Sequence, residues 1–144
     1  FGALAEDGSL YLHPSAGVRI SRMTVERIMA EQRREIARRI ELLRGGNPLP
    51  DITGRTVILT DDGIAMGSTM QASIRLCRNR RAGRLVVAVP VAGVHTARAV
   101  ASLVDELVVL TVPSNFRAVA QVYADWYDVS DQEAVRILRE YGVL

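Results

Sequence analysis

Lysine is absent from this chain of 144 residues: all 18 of its basic side chains are arginine. A Walker-type phosphate loop needs a lysine on the β/γ-phosphates. Schiff-base and pyridoxal-phosphate enzymes need a lysine amine, and a protein kinase needs its strand lysine. None of these chemistries is open to the chain. Cysteine is nearly absent as well. The lone Cys77 has no internal disulfide partner, which fits a reducing cytoplasm. With His13 and His95 as the only histidines, the usual zinc ligand sets cannot be completed without carboxylates. No apolar run approaches the ~20 residues of a membrane span, and no basic-then-apolar leader opens the sequence. The formal charge of +2 is too small to signal nucleic acid by itself. Phe1-Gly2-Ala3-Leu4 opens without an initiator methionine, and the chain is expected to start within a longer protein.

What is present is a globular composition, 49% apolar and 24% charged, at a length that suits one domain. Leu10, Leu12, Val18 and Ile20, set among Gly8, Pro14 and Gly17, predict short strands or a ragged hairpin. Residues 24–44 then read as one helix. Val25, Ile28, Met29, Ile36, Ile40 and Leu43 recur mainly at three- and four-residue steps and share a face. Glu31, Arg34, Glu35, Arg38 and Arg39 occupy the other face, with Glu35 and Arg39 at the supportive i,i+4 spacing. Gly45-Gly46 stops the helix, and Pro48 and Pro50 keep the next loop extended. Thr24 with Arg27 is no capping box, which leaves the helix start open.

From residue 55 strand and helix patterns alternate. Thr56 to Thr60, Leu85 to Val91 and Leu107 to Val112 are continuous apolar runs of strand length. Residues 68–80 and 95–103 between them are helical, the first with Met70, Ile74 and Cys77 on one face. Buried strands separated by helices predict a parallel sheet with right-handed crossovers, covered on two sides. Ser130-Asp131-Gln132-Glu133 is a capping box that opens a last helix running to about Tyr141. The expected fold class is α/β, an open and mainly parallel sheet with helices on both faces, in a single domain over residues 1–144.

The densest chemistry lies in Thr60-Asp61-Asp62-Gly63-Ile64-Ala65-Met66-Gly67-Ser68-Thr69-Met70. Two carboxylates stand at the carboxyl end of a buried parallel strand, where open α/β sheets bind ligands. Small residues and two hydroxyls follow, and then a helix begins, whose free N–H groups attract anions. A phosphate cannot rest on the carboxylates. A sugar phosphate satisfies both parts, with hydroxyls on Asp61 and Asp62 and its phosphate on residues 65–69. An acid pair that only caps a helix is the plain alternative. A receiver-domain phosphoacceptor would need a later lysine, and the G-x-x-x-G spacing from Gly63 does not fit a dinucleotide fold.

Val57-Ile58-Leu59-Thr60-Asp61-Asp62 followed by Gly67-Ser68-Thr69 resembles the phosphoribosyl-pyrophosphate motif of the type I phosphoribosyltransferases. Val86-Val87-Ala88-Val89-Pro90-Val91 is similar to the family's next core strand. Val112-Pro113-Ser114-Asn115-Phe116-Arg117-Ala118-Val119 is similar to its Pro-x-x-Phe segment near the base. The resemblance covers residues 55–130 well and 20–50 loosely. It implies transfer of a 5-phosphoribosyl group from phosphoribosyl pyrophosphate to a nitrogenous base, with Mg²⁺ and release of pyrophosphate. It further implies that Asp61 and Asp62 hold the ribose hydroxyls, directly or through metal-bound water, and that no residue ligates the metal directly. Ala65, Met66, Gly67, Ser68 and Thr69 would hold the 5′-phosphate. Phe116 would stack on the base, with core packing as its other reading. A homodimer is expected, since the family is often dimeric.

Two departures accompany the resemblance. Met66, and often Ala65, stand where the family has threonine, which removes a charge-assisted hydrogen bond of roughly 1.5–3 kcal/mol. The family's upstream strand and pyrophosphate loop have no copy between Phe1 and Ile20, so the later part of the domain is expected. A non-catalytic regulator that binds phosphoribosyl compounds, and touches RNA, is the rival reading. It draws on Arg33, Arg34, Arg38 and Arg39, and on Arg78, Arg80, Arg81 and Arg84. Interleaved Glu31, Glu35 and Glu41 mark the first run as a solvated face, and the second sits at a helix C-terminus where cations are favoured. Nucleic acid is accordingly not expected as a partner. Cys77 reads as core, and His95 as a surface residue. Tyr123, Trp126 and Tyr127 read as packing or interface, or as a base-side wall, and Asp125 as facing a base's exocyclic group if it has a site role.

Overall fold

A computed structural model describes residues 2–14 and 20–142. Val18 and Gly17, expected within the opening strands, lie outside the described residues. The chain divides into two compact units, Phe1–Ile20 with Asp51–Ala124, and Ser21–Pro50 with Asp125–Leu144.

The first unit opens on an antiparallel hairpin, β1 (Gly2–Leu4) and β2 (Leu10–Leu12), in register Gly2↔Leu12 to Leu4↔Leu10. Asp7 closes its turn by accepting from the Ser9 N–H and hydroxyl, each at 2.8 Å. Three strands follow, β3 (Thr56–Thr60), β4 (Arg84–Val91) and β5 (Glu106–Thr111), connected by α2 (Ser68–Asn79) and α3 (Val94–Ala101). They form a parallel sheet in the order β3-β4-β5, with Leu59↔Val87 and Val87↔Leu107 in register. The α/β class and the open parallel sheet are as the alternating pattern predicts, with element ends within about two residues of expectation.

Both crossovers step in the same direction, so right-handed connections carry α2 and α3 onto one face of the sheet. There the core forms: Leu85, Val87 and Val91 meet Met70, Ile74, Cys77 and Val100, all buried. Strand alternation sends the intervening residues to the opposite face, where Ile58 is 61% and Leu110 80% exposed. The hairpin packs on α2, where the Arg75 guanidinium lies 5.3 Å from the Tyr11 ring centroid and donates to the Leu10 carbonyl. At the amino end of the sheet Asp105 accepts from the Leu85 N–H at 2.7 Å and pairs with Arg78. The Leu85 hydrogen bond leads the causes that hold its carboxyl below the ordinary range.

The second unit holds α1 (Arg22–Arg44) and α4 (Asp131–Glu140). The start of α1, which Thr24 and Arg27 leave open, is set by Ser21, whose hydroxyl accepts from the Thr24 N–H at 3.1 Å. The apolar stripe Val25, Ile28, Met29, Ile36, Ile40 and Leu43 is half-buried, and no residue of α1 is fully buried. Arg38 bridges Glu35, at 2.8 Å, and Asp131 of α4, at 2.5 Å. Hydrogen bonds from Arg38 and Arg39 hold the Glu35 carboxyl down at about 2. Ser130 caps α4 by accepting from the Glu133 N–H, as the capping box predicts.

Candidate functional site

The loop between β3 and α2 is fixed from below and from the side. Ile64, buried beneath it, donates to the Val91 carbonyl at 2.9 Å and accepts from the Gly93 N–H at 3.1 Å, which stitches the loop to the end of β4. A methyl group on Gly63 would sit 2.6 Å from Val91 Cγ1 and 2.9 Å from Val119 Cγ1, so no side chain fits there. Gly67 adopts φ +75°, and a methyl on it would lie 2.7 Å from Thr96 Cγ2. Glycine is required at that point for both conformation and space. The Thr96 hydroxyl donates to the Ala65 carbonyl at 2.7 Å and holds the crest of the loop. The Tyr123 hydroxyl donates to the Asp62 carbonyl at 2.6 Å and holds its base.

These constraints leave the loop donors unused. Gly67 is the N-cap of α2 and has no side chain to cap it. Among the described residues, no group accepts from the backbone N–H of residues 65–69 or from the Ser68 and Thr69 hydroxyls. Unpaired N–H groups at a helix start concentrate positive potential, and an anion is the ligand that satisfies them.

The two carboxylates precede this cradle and are exposed. The Asp62 N–H donates to Asp61 Oδ1 at 3.0 Å. Partial desolvation raises the Asp61 pKa above the ordinary carboxylate value, and the neighbouring Asp62 charge pushes the same way against that hydrogen bond. Neither carboxylate is paired with a described cation. Exposed hard oxygens with uncompensated charge suit sugar hydroxyls, or Mg²⁺ that keeps its water.

Beside the cradle lies a cleft of about 480 Å³, within the range of small-molecule sites. Ala65 and Met66 form one wall, Gly93 to Thr96 at the start of α3 another, and Pro113, Ser114, Phe116 and Arg117 beyond β5 the third. Met66 is 71% exposed, and Phe116 is half-buried. The structure thus gathers Ala65, Met66 and Phe116 around one space, while Asp61, Asp62, Gly67, Ser68 and Thr69 stand along the adjoining loop without lining it.

His95, Thr96, Ser114 and Arg117 were not singled out from the sequence as site residues. All four follow the carboxyl ends of β4 and β5, the same edge that carries the Asp61–Asp62 loop. The strand-end rule applied to β4 and β5, as it is to β3, is the signal that finds them. Of the aromatic cluster, Tyr123 supports the loop, and Tyr127 donates to Glu133 within the second unit at 3.1 Å. Many of the clustered arginines are ion-paired: Arg39 with Glu35, Arg80 with Glu6 and Arg84 with Glu106. No helix of the described residues is long and apolar enough to cross a membrane.

Comparison with known proteins bears on this arrangement. A family model described as "Phosphoribosyl transferase domain" matches residues 12–126. Two Mycobacterium tuberculosis proteins, from strains H37Rv and CDC 1551, are named "Putative phosphoribosyl transferase Rv0571c" and "Putative phosphoribosyl transferase MT0597". Each is 34% identical over 140 residues, a match covering 96% of this chain and 32% of the relative. The chain therefore spans about a third of the length of these curated relatives. Among solved structures, TT1426 from Thermus thermophilus superposes with a TM-score of 0.76 at 36% identity, covering 97% of this chain and 67% of that one.

Proposed function

Because the chain belongs to the phosphoribosyl transferase domain family, we propose that it binds phosphoribosyl pyrophosphate and transfers the 5-phosphoribosyl group to a nitrogenous base. The observation that carries this reading is the run of unpartnered donors at residues 65–69 directly after two carboxylates that no described cation neutralises. The N–H groups of Ala65 to Thr69 and the Ser68 and Thr69 hydroxyls receive the 5′-phosphate. Asp61 and Asp62 accept from the ribose 2′- and 3′-hydroxyls, and the base enters the cleft against Phe116.

The chemistry follows from this division of charge. The bond from C1′ to pyrophosphate oxygen breaks with its electron pair leaving on pyrophosphate. A ring nitrogen of the base forms the new bond to C1′ and gives up its proton. Positive charge builds on the ribose ring as the leaving group departs, and the carboxylates beneath the ring favour that charge. The pinned loop supplies position, since Thr96, Tyr123 and Ile64 fix the grips before the ligand arrives. Mg²⁺, held through water by Asp61 and Asp62, would neutralise the departing pyrophosphate.

Met66 favours a second reading, a binder of phosphoribosyl compounds without turnover, because its side chain offers no hydroxyl to the phosphate. The RNA-touching form of that reading finds less support, since arginines at positions 38, 39, 78, 80 and 84 already hold carboxylates. The buried thiol of Cys77 suits a reducing cytoplasm, and a homodimer is consistent with the family.

Calorimetry with phosphoribosyl pyrophosphate and Mg²⁺ tests the site. Binding should weaken at least tenfold when Asp61→Asn and Asp62→Asn are combined. Absence of binding at millimolar ligand overturns the sugar-phosphate reading. Pyrophosphate release across a panel of bases selects the transferase, and binding without release selects the non-catalytic binder.

A further inference from the structure

We propose that Arg117 makes the cleft selective for an acceptor whose ring carries a carboxylate, an inference that rests on the acceptor entering beside Phe116. The cleft lining contains Arg117 and His95 but no acidic side chain, since Asp61 and Asp62 lie outside it. Arg38, Arg39, Arg78, Arg80 and Arg84 each hold a carboxylate, whereas no described acid pairs with the Arg117 guanidinium. Arg33, Arg34, Arg81, Arg98 and Arg139 likewise have no described carboxylate partner, but Arg117 is the arginine among the residues that line the cleft. A planar fork of donors facing a small cleft, with no protein carboxylate to fill it, matches a ligand carboxylate in two-pronged geometry.

The mounting of Arg117 is fixed although its side chain is exposed. Its N–H donates to Gln121 Oε1 at 3.1 Å, and Gln121 Nε2 donates to the Asn115 carbonyl at 3.1 Å. One glutamine thereby clasps the turn that carries Phe116 and Arg117. Phe116 borders Gly93, where a methyl group would come within 3.2 Å of its Cδ1, so the ring is held against the start of α3. The first N–H groups of α3, at Val94 to Thr96, have no described acceptor, and Gly93 provides no side-chain cap. They add potential of the same sign as Arg117. An acceptor ring lying on Phe116 thus meets an apolar plane on one side and a cationic edge on the other. A neutral base would gain the plane but leave the guanidinium unmatched, and that difference produces selection.

The experiment uses matched pairs that differ by the carboxylate alone: orotate against uracil, and nicotinate against nicotinamide. Binding to the full chain is measured by calorimetry with ribose 5-phosphate present, and ribose 5-phosphate affinity is measured separately. The carboxylated member of at least one pair should bind tenfold or more tighter. Arg117→Ala should reduce that preference to threefold or less, and Arg117→Lys should retain an intermediate preference. The ribose 5-phosphate affinity and the melting temperature of both variants should match the parent. Equal binding within both pairs overturns the proposal, as does a preference that survives Arg117→Ala. Loss of ribose 5-phosphate binding in Arg117→Ala, with the preference intact, also overturns it and assigns Arg117 to the donor. A chain that ignores ribose 5-phosphate but keeps an Arg117-dependent preference refutes the sugar-phosphate reading and supports this one. A chain that binds ribose 5-phosphate without any preference refutes this one alone.

Discussion

The Thr96 side chain ties two separate strand ends together: its hydroxyl holds the Ala65 carbonyl at 2.7 Å, and its methyl group fills the space that Gly67 leaves open. The phosphate cradle is therefore shaped as much by the first turn of α3 as by its own sequence. Thr96→Val keeps the methyl contact and removes the hydrogen bond. Ribose 5-phosphate affinity should fall about three- to tenfold, roughly the 1 kcal/mol of one neutral hydrogen bond, while Thr96→Ser should keep it. Calorimetry reads both, and an unchanged affinity in Thr96→Val shows that the tie does not shape the cradle.

Asp61 should give ligand binding an acid limb. Its folded-state pKa is raised, first by partial desolvation and then by the charge of Asp62. Ribose hydroxyls and Mg²⁺ both need the ionised form, so affinity should fall with decreasing pH earlier than for an ordinary aspartate. The stability effect runs the other way. Between the ordinary and the raised value the folded state binds the extra proton, so this group's contribution to stability declines as pH rises through that window. Asp61→Asn should flatten both trends. Phosphoribosyl-pyrophosphate titrations from pH 4 to 8, with thermal unfolding over the same range, measure them together. Identical profiles for parent and variant refute the assignment.

How much of this was legible in the sequence depends on whether an element is defined along the chain or across it. The Asp61–Asp62 pair, the cradle residues and β3 are contiguous, and one apolar run ending in acids, glycines and hydroxyls was enough to read them. The α1 cap is not legible from Thr24, since Arg27 rather than Glu or Gln stands three residues after it; Ser21 caps instead, through its own hydroxyl. Phe116 was named with stacking and packing both open, and its place at the cleft depends on the turn beyond β5. His95 and Arg117 were legible least of all. They reach the loop only through the parallel register of β3, β4 and β5, and no local spacing encodes that register.

Glu35 should dominate the acid response of the second unit. Hydrogen bonds from Arg38 and Arg39 hold its carboxyl at about 2, below the ordinary 4.5. Its stabilisation should be complete above the higher value and disappear as pH falls towards the lower one. The side chain is exposed, so salt should weaken the effect. Glu35→Gln should lower the melting temperature above pH 5 and merge with the parent near pH 2 in circular dichroism melts. A constant offset across that range assigns the loss to packing instead.

The missing space at Gly63 reaches beyond any single variant. A side chain there would collide with Val91 at the end of β4 and with Val119 in the turn after β5, so three distant positions share one volume. Their substitutions are epistatic: alanine at position 63 is disfavoured while valines occupy positions 91 and 119, and becomes tolerable once smaller residues stand at both. Change at this part of the loop therefore has an order, with the neighbours shrinking first, and a lineage that takes the steps in reverse passes through a distorted cradle.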